Sequence, residues 1–261
     1  MSFLIADTFT TSLNSLSAVN QKQVKQAAFD FQMNPKSPSF KFHRLDRAKD
    51  PGFWSARVNN DIRLIIHQGD EHFMLCYADH HDDAYNWAER RKIETHPKTG
   101  AAQLVELREV TEEIQTRQNV QQSVSPSGLF DHHSDEVLLN MGVPEEWLSM
   151  VRSCDEDGLL DLAEKIPEEA IERLLILATG GVIDPVEPGA ENPFLHPDAQ
   201  RRFKLPKDYE ELQRALDAPW EKWILFLHPE QKNIATREYS SASRVSGSAG
   251  TGKTVVALHR A

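Results

Sequence analysis

The chain has 261 residues, of which 39% are hydrophobic and 26% are charged, and its formal net charge is −11. These proportions are ordinary for globular proteins and exclude a fibrous or wholly disordered chain. The length predicts more than one domain. Apolar runs such as residues 224–227 are far shorter than the roughly 20 residues that cross a bilayer. With no signal peptide at the N-terminus, the sequence predicts a cytoplasmic protein without membrane contact, in which Cys76 and Cys154 are reduced thiols.

The charge is unevenly distributed along the chain. Residues 1–95 hold 12 basic and 12 acidic side chains, residues 96–200 hold 6 and 21, and residues 201–261 hold 11 and 7. An acidic middle third repels polyanions. We therefore expect any nucleic-acid contact to involve the two ends of the chain.

Residues 1–95 alternate between strand and helix signals. A strand pattern comes first, and a helical repeat then ends at Pro35. Three apolar stretches separated by turn residues follow, as in an antiparallel meander, and a short helix completes a small α+β domain. The predicted elements are a strand at 3–9, a helix around 24–31, strands at 53–58, 62–67 and 73–78, and a helix from Ala84 to about Lys92.

The middle of the chain predicts a linker, a helical spacer and a connector. Residues 96–133 are polar, with a weak helical stripe, and we interpret them as a partly helical linker. Residues 134–183 are an acidic helical region, because two Pro-Glu-Glu segments place carboxylates at the positive ends of helices. Gly180 and Gly181 end the second of these helices. Residues 184–206 contain five prolines and predict an irregular connector.

The strongest motif is a phosphate-binding loop near the C-terminus, which fits the pattern G-x-x-x-x-G-K-[ST] completely. Its glycines let backbone N–H groups turn toward phosphate oxygens, Lys253 reaches the β and γ phosphates, and the Thr254 hydroxyl holds Mg²⁺. The motif predicts a site for ATP and Mg²⁺ with Lys253 and Thr254 at its catalytic centre. The predicted nucleotide-binding residues are Gly247, Ser248, Ala249, Gly250, Thr251, Gly252, Lys253 and Thr254.

The loop and the segment LHPEQ at 227–231 together resemble superfamily 1 DNA helicases of the UvrD/Rep type. The resemblance covers about residues 205–261 and implies that Gln231 reads the adenine edge, since an amide both donates and accepts hydrogen bonds. It further implies ATP-dependent translocation on DNA or unwinding of it. On its own, Gln231 would be interpreted as an exposed helix residue. Val255 departs from the family, many members of which carry arginine there.

The resemblance implies that residues 207–261 begin an α/β, RecA-like ATP-binding domain. An amphipathic helix from about Tyr209 precedes the loop, and tryptophans at 220 and 223 fit a packed core. The acidic pair, the arginine sensor and the second motor domain of the family do not occur within residues 1–261. We therefore expect this fragment to bind nucleotide weakly or not at all, and not to turn over ATP.

The order of elements in residues 1–95 resembles the RelE/ParE toxin fold. The segment HHDDAYNWAER at 80–90 is similar to the closing strand and helix of that fold. RelE-type members cut messenger RNA on the ribosome, and ParE-type members act on gyrase. The resemblance implies RNA, the ribosome or a protein as the partner of this domain.

Two readings of the first domain are open. In a ribonuclease, Arg57 and Arg63 would stabilise a transferring phosphate, and His81 or Tyr85 would move protons. Alternatively, the arginines are solvated strand residues, and Tyr85 anchors the last helix. The equal numbers of basic and acidic residues favour a binding or regulatory module.

The sequence as a whole predicts an α+β RelE-like domain, an acidic helical spacer and the start of an α/β P-loop domain. The favoured function is the N-terminal part of an ATP-dependent DNA helicase. One rival is a different P-loop ATPase or nucleotide kinase. The other is a RelE/ParE-like toxin, or an RNA-binding or protein-binding module, with a vestigial P-loop.

Overall fold

A computed structural model describes residues 2–107, 128–163, 165–181 and 192–206, together with Ile234 and Arg237. The P-loop at 247–254, Gln231 and the helix predicted from Tyr209 lie outside the described residues. Two compact units divide the chain. Within the described residues, the first unit comprises 2–44, 52–84 and 200–206, and the second comprises 45–51 and the remaining residues between 85 and 199.

The described chain is a mixed α/β protein with eight α-helices and eight strands. The strands are β1 (Ser2–Ala6), β2 (His43–Arg44), β3 (Phe53–Arg57), β4 (Ile62–Gln68), β5 (His72–His80), β6 (Arg91–Thr95), β7 (Ala102–Glu106) and β8 (Phe203–Lys204). The helices are α1 (Asp7–Ser15), α2 (Ala18–Met33), α3 (His81–Glu89), α4 (Asp135–Asn140), α5 (Leu148–Ser153), α6 (Glu156–Leu162), α7 (Glu168–Ala178) and α8 (Pro197–Gln200). Short 3₁₀ helices occupy Pro38–Phe40, Glu145–Trp147 and Pro193–Leu195.

A mixed six-stranded sheet organises the first unit, in the order β2-β3-β4-β5-β1-β8. Strand β1 runs parallel to β5, and every other neighbouring pair is antiparallel. The predicted meander is confirmed as β3, β4 and β5. The helix predicted to stop at Pro35 is confirmed as α2, which Ser17 caps by accepting a hydrogen bond from the Asn20 amide.

One face of this sheet packs against α1 and α2. In β4, Ile62, Leu64 and Ile66 are fully buried and belong to the core cluster that also contains Phe9 and Phe31 of the helices. Because side chains alternate across a strand, the residues between them belong to the opposite face. On that second face Ile65 and His67 are buried as well, whereas Arg63 near the turn is partly exposed.

Beyond the end of β1, side-chain hydroxyls of α1 form hydrogen bonds with backbone groups of β5. The ladder between β1 and β5 extends to Leu75. Beyond it, the Thr8 hydroxyl donates to the Cys76 carbonyl at 2.7 Å, and the Ala78 amide donates to the Ser12 hydroxyl at 2.9 Å. Cys76 is also the extra residue of a bulge in the pairing of β5 with β4. Side-chain hydroxyls thus satisfy backbone groups that a longer β1 would have paired.

Besides residues 45–51, the second unit contains the end of α3 and the hairpin β6–β7. The hairpin corrects the partly helical linker predicted from residue 96 onward. The hairpin pairs Arg91 with Glu106 through Thr95 with Ala102. Its turn closes at Gly100, whose φ of +71° favours glycine. Glu106, one of the polar residues on which the linker prediction rested, is held in an ion pair with Arg91 at 2.9 Å.

The acidic helical region is confirmed as short helices packed on the hairpin. A single core cluster joins Val105 of β7 to Trp147, Leu159 and Leu174. Helix α7 ends as predicted, because Gly180 adopts a φ of +74° and the Gly181 amide donates to the Ile176 carbonyl. The predicted connector is partly regular, since α8 and β8 lie within residues 192–206.

In the second unit, the backbone carbonyl groups of residues 141–143 each accept a hydrogen bond from a side chain. The donors are Arg173, Gln103 and His96. Each is mostly or fully buried, and each comes from a different element or turn. Gly142 in the middle of the held segment has a φ of +87°, which explains the glycine. The bonds are Arg173 Nη1 to Met141 O at 3.3 Å, Gln103 Nε2 to Gly142 O at 2.9 Å, and His96 Nε2 to Val143 O at 3.0 Å.

Two further element boundaries differ from prediction. The first strand ends at Ala6 rather than residue 9, because Asp7 begins α1, a helix that the sequence pattern did not indicate. Helix α3 begins at His81, three residues before the predicted start, and ends at Glu89 because Arg91 already belongs to β6.

The bonds between α1 and β5 predict a specific stability effect. Ser12 is 4% exposed and also donates to the Phe9 carbonyl at 3.1 Å. Replacing Ser12 with Ala leaves the buried Ala78 amide without its acceptor, so we expect a loss of about 1–3 kcal/mol in the free energy of unfolding. Urea titration followed by circular dichroism measures it. Ser15→Ala, which removes a helix-local bond to the Ser12 carbonyl, is the control and should cost clearly less.

Candidate functional site

Arg57 and Arg63 face each other directly across the strands β3 and β4. Their neighbours Ala56, Ile62 and Leu64 belong to the core beneath the helices. By strand alternation, the two arginines lie on the opposite face of the sheet, near the turn that joins the strands. The structure therefore brings together two of the four residues that the sequence indicated for the RelE-like site.

Both guanidinium groups bind the same turn. Arg57 Nε and Arg63 Nη1 each donate to the Asn59 carbonyl oxygen at 3.0 Å, and Arg57 Nη2 donates to the side-chain oxygen of Asn60. Asn59 in turn accepts the Asp61 and Ile62 amides on its side-chain oxygen, each at 2.8 Å. The turn is thus a fixed platform that holds both cationic groups in place.

Sharing one acceptor places the two positive charges close together. The donor nitrogens of Arg57 and Arg63 both lie 3.0 Å from one oxygen, so the groups repel each other. A carbonyl is a dipole and does not neutralise either charge. Asp79 on β5 is the cross-strand partner of Arg63, so one carboxylate lies beside the two arginines. Each guanidinium has five N–H donors, of which the turn uses only some, and the arrangement suits an anion that contacts both.

The cationic character extends beyond the two arginines. Residues 31–44 and 52–63, all in the first unit, contain five Lys or Arg and a single acidic residue, Asp61. Lys36, Lys41 and Arg44 are exposed. Because His43 pairs with Ser55, Lys41 lies near the same end of the sheet as Arg57. The equal charge count over residues 1–95 conceals this local excess.

The other two predicted residues are placed differently. His81 is the first residue of α3, and its Nδ1 lies 2.8 Å from the Oδ1 of the adjacent Asp82. Tyr85 lies one helical turn later, is partly exposed, and falls in the second unit. The structure thus pairs His81 with a carboxylate of its own helix, while Arg57 and Arg63 converge on the turn.

Sequence analysis missed two polar pairs beside the arginines. His80 Nδ1 lies 2.6 Å from Asp61 Oδ2, and the Tyr77 hydroxyl donates to Asp79 Oδ2 at 3.1 Å. The contact between His80 and Asp61 follows from the register, in which His80 faces Ile62. Only the hairpin alignment could have revealed this contact, because 19 residues separate Asp61 from His80 along the chain, whereas Tyr77 and Asp79 are two residues apart on β5.

A pair of stacked histidines lies toward the other end of β4 and β5. The rings of His67 and His72 stack with centroids 5.6 Å apart, and the ring of Phe53 packs edge-on against His67. Burial, helped by the neighbouring His67, lowers the pKa of His72 to about 4, against a small opposing effect of Asp70. The His67 ring packs against Phe53 and Gly52, and the His72 ring packs against Gly69, so we interpret the pair as structural.

In the second unit, burial lowers the pKa of His96. The Nδ1 of this ring accepts the Lys98 and Thr99 amides at 3.3 and 3.2 Å, while Nε2 contacts the Val143 carbonyl. The neutral tautomer with its proton on Nε2 satisfies all three bonds. His96 therefore closes the β6–β7 turn.

Among the described residues, no group of three or more His, Cys, Asp or Glu side chains is arranged to hold a metal ion. No helix in the same ranges is long and apolar enough to cross a membrane. The predicted Mg²⁺ ligand Thr254 and the remainder of the ATP site are outside these ranges.

Comparison with known proteins gives little. The sequence matches no known protein family, and no curated protein is significantly similar to it. The crystal structure of YafQ from E. coli strain BL21(DE3), a RelE-family toxin, is 16% identical, covers 31% of this chain and 94% of its own, and has a TM-score of 0.28. That score is too low to establish a common fold. Nothing in these comparisons supports the UvrD/Rep resemblance.

The His72 environment predicts how stability depends on pH. Its folded pKa of about 4 lies below the ordinary value of 6.5, so the unfolded chain takes up a proton first as the pH falls. Its contribution to stability is complete above about pH 6.5 and is lost between 6.5 and 4. Urea midpoints measured across that window should fall less steeply in His72→Phe, which keeps a stacked ring. Equal slopes in wild type and His72→Phe would contradict the assignment, and exposed His132→Gln is the control.

Proposed function

We propose that the first unit is an RNA-binding module whose Arg57 and Arg63 bind backbone phosphate. The observation that carries the proposal is the convergence of both guanidinium groups on the Asn59 carbonyl oxygen. Two fixed cations at this spacing repel each other in the free protein, and a bound phosphate relieves that repulsion. Arginine is well suited to this role because its planar fork contacts two phosphate oxygens at once.

The arrangement of elements supports the same proposal. A strand, two helices and an antiparallel run of three strands follow one another in the first unit, and this order resembles the RelE/ParE fold. The local excess of Lys and Arg in residues 31–44 and 52–63 supplies the long-range attraction that RNA binding uses. We propose binding without cleavage, because the candidate proton carriers are not gathered with the arginines: His81 contacts Asp82 of its own helix, and Tyr85 falls in the second unit.

The test is fluorescence anisotropy of the full chain with a labelled single-stranded RNA of about 15 nucleotides, the upper range of common site sizes. We expect the double substitution Arg57→Ala, Arg63→Ala to weaken binding at least about tenfold. Losing two phosphate contacts should also lower the salt-dependence slope by about 1.4. The conservative Arg57→Lys, Arg63→Lys variant should retain most of that slope while binding less tightly, because lysine keeps the charge and loses the fork.

The RNA-binding measurement has two controls. Arg90→Ala removes an exposed cation from the second unit and should leave RNA affinity unchanged. Gel analysis of the same mixtures should show intact RNA. RNA affinity that is absent, or identical in the double variant with its circular dichroism preserved, contradicts the proposal and favours a protein partner. Cleavage that depends on Arg57 and Arg63 would instead establish a nuclease.

A second function is proposed on the sequence motif alone. Residues 247–254 would bind ATP and Mg²⁺ through the glycine-rich loop, Lys253 and Thr254, with Gln231 reading adenine. In this proposal, DNA is the partner of an ATP-dependent helicase to which the first unit is attached. Two features support this proposal: the complete loop pattern at 247–254 and the glutamine segment at 227–231, which lies upstream of the loop.

The measurement for this second function is ATP turnover by the full-length gene product with and without single-stranded DNA. We expect DNA-stimulated turnover that Lys253→Ala abolishes, because the lysine ammonium is needed at the β and γ phosphates. Lys232→Ala, a lysine outside the motif, is the matched control and should retain activity. Turnover that is absent in wild type, or unchanged in Lys253→Ala, would make the loop vestigial.

A further inference from the structure

The outer edge of β1 is covered by a strand from the far end of the described chain. Ile5 pairs with Lys204 and Ala6 pairs with Phe203, antiparallel, and the Asp7 amide donates to the Arg202 carbonyl at 2.8 Å. Strand β8 is only two residues long, yet nearly 200 positions separate it from β1. The other edge of β1 is used by β5.

Phe203 anchors β8 in this position, and Pro206 limits how far its pairing with β1 extends. Phe203 is 2% exposed and is among the largest fully buried side chains of the described residues. Pro206 lacks the amide hydrogen that a continuing ladder would need opposite Phe3, so pairing cannot extend far beyond Lys204. A short strand ended by proline is a form in which proteins close sheet edges safely.

Without β8, the edge of β1 would be open to another chain. Residues 3–6 read Phe-Leu-Ile-Ala, apolar and uncharged, and Leu4, Ile5 and Ala6 are almost completely buried. An apolar strand with unpaired backbone groups is a template for edge-to-edge pairing. The same strand in a second copy would offer the same groups, so the two could pair antiparallel about a twofold axis.

We propose that β8 is an edge-blocking strand, which occupies β1 within the chain and thereby prevents β1 from pairing with β1 of a second copy. Because β8 belongs to the same chain as β1, it meets this edge at a higher effective concentration than a separate molecule does in dilute solution. The basic side chains Arg202 and Lys204 add charge at this edge, which further discourages the approach of a second copy.

The test compares wild type with two variants that release β8 in different ways. Phe203→Ala removes the buried anchor. Lys204→Pro removes an amide that the ladder directs at Ile5, since antiparallel bonds alternate and Asp7 already bonds to Arg202. Light scattering coupled to size-exclusion chromatography, over a hundredfold range of concentration, should show both variants rising toward twice the wild-type mass. Hydrogen exchange should report faster exchange of the Asp7 amide.

Matched variants separate this proposal from general destabilisation. Leu205→Ala changes an exposed neighbour and should keep the wild-type mass. Adding Ser2→Lys to Phe203→Ala places a charge on exposed β1 sequence and should restore the wild-type mass, because a charged edge resists pairing. Faster Asp7 exchange without any change of mass overturns the proposal. Association that Ser2→Lys does not reverse overturns it as well, because the contact then lies elsewhere.

Discussion

The register between β3 and β4 determines both the core and the candidate site of the first unit. With Arg57 opposite Arg63, Ile62 and Leu64 face the helices and the arginines face away from them. A slip of one residue would exchange these sets and bring charge into the core. The burial energy of the apolar residues therefore holds the two guanidinium groups on one carbonyl, although the groups repel each other. The like charges stay together because separating them would disturb the buried contacts of the same hairpin.

Much of the first unit follows from its sequence pattern, and the exceptions have physical reasons. Apolar runs separated by Asn-Asn and Gly-Asp turns predicted β3 to β5. Helix α1 was missed because its sequence DTFTTSLNS is rich in threonine and serine, which favour strands and caps. Its buried face includes Ser12, whose partner on β5 is 66 residues away and invisible in a local window.

The hairpin of the second unit was missed for the opposite reason. In β7, Ala102 to Val105 are all buried, including Gln103, so the strand has no polar and apolar alternation to recognise. Gln103 is tolerated in the interior because it donates to the Gly142 carbonyl. At the candidate site, the sequence indicated both arginines but neither their shared acceptor nor the paired His80 and Asp61, since contacts of this kind depend on the three-dimensional alignment of separate strands.

The pairing of β1 with β8 has a consequence for synthesis in the cell. The first 84 residues contain nearly all of the six-stranded sheet, and they leave the ribosome long before Phe203 is translated. At about 5–20 residues per second, roughly 10–40 s pass between the appearance of Ala6 and that of its partner. During this interval, neighbouring nascent chains on one messenger carry β1 with its outer edge uncovered. On the proposal that β8 blocks this edge, the spacing of ribosomes on the message would influence how much of this protein reaches its native state, in addition to the stability of the finished fold.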